Sequence, residues 1–549
     1  MADTQHNISE PEPEIVNRWR ASHLGWTIAS AVALLLVVAY SAATLVDYPP
    51  VNSNEGQIAA TVASWIHGGG NRPTVYDGSG IYDGTTSWWQ PYIGPLPLAI
   101  AELVGPTTLT TYRLSAFITA LLALLLFAFA VRRRHGVAAG LAGAAALALT
   151  WGFFATSHYV RWDATAFLWL IGVLAVLWWR APSAKWALAV GVLLGTSPDI
   201  QLSVVALFPG AVLLIGWEAD GRWRRISVFF GGFALCVATY YAVHVLPNPA
   251  ESRQQFKDFA APGYKVPLFS ALLHGDFEPL SQQKVRYDLM TAGWPIIKAQ
   301  TWCLVLLVGG YAAALWTLAL ARREYPAAAV PGILLIGYIP GLALIQGNYT
   351  NSMYAWFAVP LAIAALTEAV VLAGRTFKLP VHARDLAAGL LLALTLVGFL
   401  ALDHDRKLPQ QEPITDRPVL AAAVTRELRP NDVVIGETPY WWLVRDERFR
   451  SNSVLWFAEW KHGDSFEQSF ARACPSLVIL DDQWISHYGY GPSSPFPNLN
   501  PTRPAEREQV RPLLRRDYQL RRSLKGAGWW AELWRRKSPC RDSRPGAAA

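Results

Sequence analysis

Several charged side chains stand beside long apolar segments, and these are the residues whose types and spacing could support chemistry. Glu55 lies in Asn54-Glu55-Gly-Gln-Ile-Ala, while Arg161 and Asp163 lie in His158-Tyr-Val-Arg-Trp-Asp163. A carboxylate can take a proton from an attacking hydroxyl, and a guanidinium can bind a phosphate through two parallel hydrogen bonds. Residues of these types, placed at the edges of apolar segments, could therefore support acid–base chemistry and the binding of an anionic group.

Each of these residues also has a purely structural interpretation. Asn54 is a plausible N-cap for an amphipathic helix from Ile58 to Ile66, and Glu55 would then be a first-turn carboxylate stabilised by the helix dipole. Arg161 and Asp163 could be a snorkelling arginine paired with an acidic residue at a helix start. Both interpretations stay open at the level of sequence.

The elements that must position these residues are membrane-spanning helices. The 549 residues are 52% hydrophobic and 16% charged, and 42 of the 87 charged residues fall in the last 147 positions. Apolar stretches of about 20 residues are long enough to cross a bilayer, and shorter ones are tolerated inside a bundle. We predict eleven spans, near 24–46, 112–131, 137–155, 163–179, 185–198, 200–217, 226–246, 300–321, 327–346, 353–373 and 385–402.

The distribution of basic residues orients these spans. The apolar but proline-rich segment 92–104 is interpreted as re-entrant or interfacial, and with that assignment all six loops on one side are basic. These loops contain Arg18 and Arg20; Arg132, Arg133 and Arg134; Arg180 and Lys185; Arg222, Arg224 and Arg225; Arg322 and Arg323; Arg375, Lys378 and Arg384. The pattern predicts a cytoplasmic N-terminal tail (1–23) and an extracytoplasmic C-terminal domain.

Three predicted extracytoplasmic segments are large, namely 47–111, 247–299 and 403–549. The last alternates a helix-like run with apolar strand-like runs at 432–436 and 477–481, which predicts a small α/β domain followed by a basic tail. The predicted spans carry almost no ionisable residues near their centres, which counts against an ion-coupled transporter. A predominantly membrane-embedded chain is also not expected to bind nucleic acid.

The four cysteines are too few for a disulfide framework. Cys236 and Cys303 lie in apolar stretches and are expected to be buried. Cys474 and Cys540 lie in the predicted extracytoplasmic domain, and we expect them to form a disulfide there.

The motifs as a set resemble membrane glycosyltransferases of the GT-C type. Asn54-Glu55-Gly-Gln-Ile-Ala, with Gly68-Gly69 after it, is similar to the "Asp-Glu-Gly-x-x-Ala … Gly-Gly" first-loop motif of family 39 protein mannosyltransferases and lipid A aminoarabinose transferases. Further similarities are Trp89-x-Pro91-Tyr92, Tyr112-Arg113 before a span, Arg161-x-Asp163-Ala, and Asn348 to Pro360 with Tyr354. Two positions depart from the family: its first-loop Asp is Asn54 here, and the late segment lacks its Arg.

The resemblance covers residues 24–402 and implies a polytopic helical GT-C-like fold. It implies an inverting transfer of a sugar from a polyprenyl-phosphate donor to an extracytoplasmic acceptor (glycan, lipid or protein of the cell envelope), in the plasma (inner) membrane. A divalent cation, Mg²⁺ or Mn²⁺, is the one cofactor considered, with Glu55 and Asp163 as its ligands if it is required. Asp47 and Asp77 are further carboxylates of the first loop. The expected substrate-binding residues are Asn54, Asp77, Tyr92, His158, Arg161 and Tyr354, beside the catalytic Glu55 and Asp163.

Two alternatives from other functional classes remain. A transporter or flippase of a lipid-linked saccharide would account for the many spans, but not for carboxylates gathered in outer loops. A non-catalytic protein that binds sugar lipids is favoured by Asn54, because an amide cannot serve as a base.

Overall fold

The chain folds into a helical membrane bundle followed by a small domain built on a sheet. A computed structural model describes residues 13–49, 53–77, 91–179, 183–253, 299–320, 326–346, 356–378, 383–407, 418–445, 448–481, 484, 504–526 and 529–539. In chain order the helices before residue 408 are α1 (Pro13–Thr44), α2 (Ser53–Ile66), α3 (Leu96–Val104), α4 (Leu109–His135), α5 (Val137–Ala148), α6 (Trp151–His158), α7 (Asp163–Trp179), α8 (Ala184–Gly195), α9 (Phe208–Ile215), α10 (Arg222–His244), α11 (Ala299–Ala319), α12 (Val330–Gln346), α13 (Val359–Thr376) and α14 (Ala383–Lys407).

Helix is present in all eleven segments for which a membrane span is predicted. Six helices of the described chain are long and apolar enough to cross a bilayer: α1 from His23, α4, α10, α11 from Thr301, α13 extended back to Trp356, and α14. The bent pair α5–α6 would make a seventh. The other four segments hold shorter helices, and at 1.5 Å per residue a 12-residue helix such as α8 extends only about 18 Å against a hydrocarbon core of about 30 Å. The chain is thus a multi-pass membrane protein, and eleven crossings stay a prediction.

The predicted single span 137–155 is broken in the structure. α5 and α6 meet at an angle of 71° across a short break. α14 packs against that break, since a Cβ on Gly398 would lie 3.1 Å from Leu149. The bend brings His158, the last residue of α6, back towards the end of α1.

Two other predicted boundaries are refined. α1 begins at Pro13, so part of the predicted cytoplasmic tail 1–23 is helical. The segment 92–104 contains only the nine-residue α3, about 14 Å long, which is too short to cross and agrees with the non-crossing assignment.

The C-terminal domain has a five-stranded mixed sheet with strand order β2-β1-β3-β5-β4. Three strands, β2, β1 and β3, are parallel, and β5 lies antiparallel to both β3 and β4. The prediction of buried parallel strands at 432–436 and 477–481 is confirmed. The elements are α15 (Pro418–Glu427), β1 (Val434–Gly436), α16 (Trp441–Val444), β2 (Phe449–Ser451), α17 (Ser453–His462), α18 (Phe466–Ala473), β3 (Leu477–Asp481), α19 (Pro504–Asp517), β4 (Tyr518–Gly526) and β5 (Trp529–Arg536).

This domain packs on α2, the helix of the first loop. Ile58 and Val62 of α2 belong to one buried apolar cluster with Tyr440 and Trp441 of the domain. The backbones touch where Gly56 faces Thr438, because a Cβ at Gly56 would lie 2.4 Å from the Thr438 carbonyl oxygen. The amphipathic face predicted for this segment is therefore buried between the bundle and the domain.

Candidate functional site

Three carboxylates, each paired with an arginine or a histidine, lie at the first-loop end of the helix bundle. They come from the start of α2, the start of α7 and the link that follows α8. In two of the three pairs the partner is far away in sequence, 58 residues for Glu55 and 45 residues for Asp199.

The first pair joins Glu55 to Arg113. Arg113 Nε and Nη2 donate to the two carboxylate oxygens of Glu55, each at 3.0 Å, and both side chains have no exposed surface. The backbone N–H of Val160 donates to Glu55 Oε1 at 2.9 Å. Arg113 Nη1 also donates to the carbonyl oxygens of Leu45 and Val46, at 3.1 and 2.9 Å. The pair thus fixes the first turn of α2 against α4 and the segment after α1.

These contacts give Glu55 an environment unlike that of a general base. Both of its oxygens accept hydrogen bonds from an arginine, which stays protonated under all ordinary conditions. A base must present a free lone pair to the proton that it removes. The contacts instead favour the structural interpretation of Glu55, and its catalytic assignment stays a prediction.

The second pair joins Asp163, the first residue of α7, to Arg161. Arg161 Nε donates to Asp163 Oδ2 at 2.5 Å, and the Asp163 side chain is fully buried. Gln201 Nε2 donates to the other oxygen of Asp163 at 3.2 Å. The pairing that the sequence suggests is confirmed, and the carboxylate also lies favourably at a helix start.

The third pair, between Asp199 and His244, was not predicted. His244 Nε2 lies 2.9 Å from Asp199 Oδ1, and the backbone N–H of Tyr92 donates to the same oxygen at 2.8 Å. Asp199 lies in a tight turn between two short apolar segments, and His244 ends α10. An acid and a histidine at the edges of predicted spans were the only features of the sequence that could have drawn attention to them.

A loop around Gly94 connects the second and third pairs. The N–H of Gly94 donates to the carbonyl of Asp199 at 2.9 Å, and Thr165 of α7 donates to the Gly94 carbonyl at 3.0 Å. Glycine is required there, because a Cβ would lie 2.8 Å from the carbonyl oxygen of Ile200. The loop 91–95 thereby holds Tyr92 beside the Asp199–His244 pair.

Tyr92, a predicted substrate-binding residue, contacts the Asp199–His244 pair. Its ring centroid is 4.8 Å from that of His244 and 5.1 Å from that of Trp65. Burial, and after it the neighbouring Asp199 carboxylate, raises the pKa of Tyr92. The half-buried phenol therefore stays neutral and can act as a hydrogen-bond donor.

His158 is buried at the end of α6, two residues before Val160, whose backbone N–H donates to Glu55. Its Nε2 is 2.9 Å from the carbonyl oxygen of Ser41, and its Nδ1 is 2.7 Å from that of Phe154. The ring also stacks on Phe154 at 4.0 Å. These contacts hold α6 against α1, and the substrate-binding role of His158 stays a prediction.

The remaining predicted site residues fall into two groups. Asp77 lies 3.5 Å from Arg72 and 3.8 Å from Arg450, so it links the first loop to the C-terminal domain. Asn54 lies in the first turn of α2, but its side chain is outside the described residues, as is the whole of Tyr354.

The donor sets of Glu55 and Asp163 do not fit a divalent cation. All four carboxylate oxygens accept hydrogen bonds from Arg113, Arg161 or Gln201, and each carboxylate is already neutralised by a guanidinium. Within the described residues no three His, Cys, Asp or Glu side chains come together as a ligand group. We therefore derive no step through a metal.

No family model and no curated protein matches the chain. Among solved structures it is similar to ArnT from Cupriavidus metallidurans bound to undecaprenyl phosphate, with 16% identity over 84% of this chain and 94% of that chain and a TM-score of 0.47.

A second similarity is to the archaeal oligosaccharyltransferase AglB from Archaeoglobus fulgidus, in complex with an inhibitory peptide and a dolichol-phosphate. The identity is 13%, the alignment covers 84% of this chain and 71% of that chain, and the TM-score is 0.46.

Proposed function

We propose that this protein is an inverting glycosyltransferase that moves a sugar from a polyprenyl-phosphate donor to an acceptor in the cell envelope. The observation that carries the proposal is the gathering of Glu55–Arg113, Asp163–Arg161 and Asp199–His244 at one end of the bundle, under the first loop. A donor whose tail stays in the bilayer requires a reaction site at the ends of the spans. The motif resemblance supports the same reaction.

Arg161 and Asp163 are the residues that we assign to the donor. A guanidinium is suited to the departing phosphate, because it forms two parallel hydrogen bonds and keeps its charge. Asp163 holds that guanidinium at the start of α7. Tyr92, whose backbone N–H donates to Asp199, would offer the sugar a ring face and a hydroxyl. Glu55, in this proposal, keeps α2 in position through Arg113 and does not touch the sugar.

The side of the membrane is inferred from the opposite end of the same helices. Arg113 starts α4 and His244 ends α10, whereas Arg132 to Arg134 end α4 and Arg222 to Arg225 start α10. Basic clusters of this kind mark the cytoplasmic side, which supports an extracytoplasmic site in the plasma membrane. A reporter fused after Lys407 should be extracytoplasmic, and a cytoplasmic reporter would contradict this orientation.

The transporter alternative has less support from the buried charges. Glu368, the buried carboxylate of α13, lies 2.5 Å from Arg134 and 3.5 Å from His135 at the basic end of α4. The charge is therefore neutralised by a structural pair. A coupled transporter is expected to keep ionisable groups available in mid-membrane.

Sugar transfer by the purified protein tests the proposal. A panel of radiolabelled polyprenyl-phosphate sugars is presented in detergent or nanodiscs, and transfer and donor binding are measured for the wild type and for Asp163→Asn. Asp163→Asn should lower turnover about 10²-fold, because a misplaced Arg161 loses its alignment with the phosphate.

Glu368→Gln is the matched control, since it removes one member of a buried Arg–carboxylate pair at the opposite end of the bundle. It should retain transfer per folded molecule. Absence of transfer from every donor, together with movement of the same lipids across proteoliposomes, would overturn the proposal in favour of a flippase. Binding of donors without either activity would favour a non-catalytic sugar-lipid protein.

A further inference from the structure

We propose that His244 and Asp199 form the proton-accepting dyad of this site, with His244 Nδ1 as the atom that takes the proton from the acceptor hydroxyl. This inference rests on the proposed glycosyl transfer and names the group that performs its proton step. The evidence is the difference among the three pairs: an arginine holds Glu55 and Asp163, whereas a histidine, which can accept a proton, holds Asp199.

Two of the three pairs cannot accept a proton readily. Glu55 and Asp163 are each bound by an arginine, whose charge is permanent and stabilises the ionised carboxylate. Both oxygens of each carboxylate already accept hydrogen bonds from Arg113, Arg161 or Gln201. The amide of Asn54, at the position where the resembled family has an Asp, cannot accept a proton at all in this role.

The third pair has the arrangement in which an imidazole acts as a base. The Asp199 carboxylate is an acceptor only, so the nitrogen 2.9 Å from it, His244 Nε2, carries the proton. Nδ1 is then the nitrogen with a free lone pair. A carboxylate on the far side of the ring also stabilises the imidazolium that forms when Nδ1 is protonated.

His244 Nδ1 is buried, and within the described part of the chain it has no hydrogen-bond partner. The His244 side chain is 1% exposed, whereas Asp199 is 16% exposed. A buried nitrogen without a hydrogen-bond partner is unfavourable in a folded protein, and an acceptor hydroxyl would supply the missing partner.

The surroundings of His244 fix the orientation of its ring. Tyr240, one turn earlier on α10, stacks on the imidazole at 4.4 Å, and the Tyr92 ring lies at 4.8 Å from the first loop. Asp199, Tyr92 and Tyr240 are the titratable groups that contact His244 among the described residues. Asp199 is thus the one neighbour in direct contact that is charged at neutral pH.

The dyad lies beside the pair that we assign to the donor. Asp199 is two residues from Gln201, and Gln201 donates to Asp163 at 3.2 Å while accepting from Trp162 at 3.4 Å. An acceptor hydroxyl at His244 would therefore lie next to a donor held at Arg161, because the segment from Asp199 to Gln201 links the two pairs.

The step balances without a further reactant. The acceptor oxygen forms a bond to the anomeric carbon as its proton passes to His244 Nδ1, and the bond from that carbon to the phosphate oxygen breaks. The bonding electron pair leaves with the polyprenyl phosphate. His244 is then a cation beside the Asp199 anion, and it returns its proton to water or to the released phosphate.

The pH dependence of turnover tests the inference. In the wild type, turnover should rise with pH and then level off, because only the neutral imidazole of His244 accepts a proton. His244→Gln should lower turnover about 10²–10⁴-fold and abolish that rise, with donor binding unchanged. Asp199→Asn should shift the rise in turnover to lower pH, because the variant lacks the carboxylate that stabilises the imidazolium.

His135→Gln is the matched control, since His135 is a buried histidine beside a carboxylate at the opposite end of α4. It should keep both the turnover and the pH profile of the wild type. Should His244→Gln fail to fold, the Asp199→Asn profile alone decides the question.

The two proposals fail in different ways. Transfer by the wild type, with the same turnover and pH profile in His244→Gln and Asp199→Asn, would overturn the dyad and leave the glycosyltransferase standing. No transfer by the wild type from any donor of the panel would overturn both.

Discussion

Replacing Glu55 by Gln distinguishes a structural carboxylate from a catalytic one. Glutamine keeps the size of the side chain but removes its charge, and one of its two terminal atoms becomes an N–H donor. Arg113 then faces that donor with its own N–H groups, where it now donates to both oxygens of Glu55 at 3.0 Å. A charge with no exposed surface is left without its counterion.

The expected loss of stability is large. Removal of one partner from a buried ion pair typically costs about 3–5 kcal/mol of unfolding free energy. Arg113 keeps its hydrogen bonds to the Leu45 and Val46 carbonyls, so we expect the lower part of that range, about 3 kcal/mol. Glu55→Gln/Arg113→Met removes both charges and should be more stable than Glu55→Gln alone.

Denaturant unfolding in detergent micelles, followed by tryptophan fluorescence, measures these differences. The four proteins of the cycle are the wild type, the two single variants and the double variant, and the coupling free energy follows from them. Turnover is measured in parallel and expressed per folded molecule, so that loss of folded protein is not counted as loss of catalysis.

The opposite outcome would refute the structural interpretation. If Glu55→Gln unfolds at the same denaturant concentration as the wild type while turnover falls 10²–10⁴-fold, Glu55 is the general base that the sequence motif suggests.

Three further predictions concern the C-terminal domain and its contact with the first loop. Cys474 is disulfide-bonded, whereas Cys236 and Cys303 are free. We expect Cys540, which lies outside the described residues, to be the partner of Cys474. Mass spectrometry of unreduced peptides that shows a free Cys540 thiol would contradict this. Gly56→Ala should weaken the docking of the domain on α2, because the new Cβ would lie 2.4 Å from the Thr438 carbonyl oxygen. Faster hydrogen exchange in α2 would report this loss. Gly25→Ala is the control, because its new Cβ would meet no atom within 4 Å. Burial, and after it the neighbouring Asp481 carboxylate, raises the pKa of Glu437 to about 8. The folded domain therefore keeps a proton that the unfolded chain loses above about pH 4.5. The free energy of unfolding should consequently fall as pH rises from about 5 to 8. Glu437→Gln should remove this fall, and an unfolding midpoint with the same pH dependence as the wild type would contradict the assignment.

The sequence alone determined the elements whose patterns are local. Apolar runs of span length appear as helices at all eleven predicted positions, because hydropathy and backbone hydrogen bonding act within one segment. The same holds for the buried strands β1 and β3, and for α2 with its apolar face. Arg161 and Asp163, two residues apart, could also be paired from sequence.

Tertiary structure decided which buried charge meets which partner. Glu55 and Arg113 are 58 residues apart, and Asp199 and His244 are 45 apart, so no local pattern links them. The 71° break between α5 and α6 likewise arises where α14 packs on it. A desolvated charge is stable only beside a counterion, and the counterion within reach is set by how the helices cross. Sequence could therefore name Glu55 as a carboxylate of interest, but only the fold shows that an arginine holds both of its oxygens. Only the fold shows, too, that Nδ1 of the histidine beside Asp199 has no hydrogen-bond partner among the described residues.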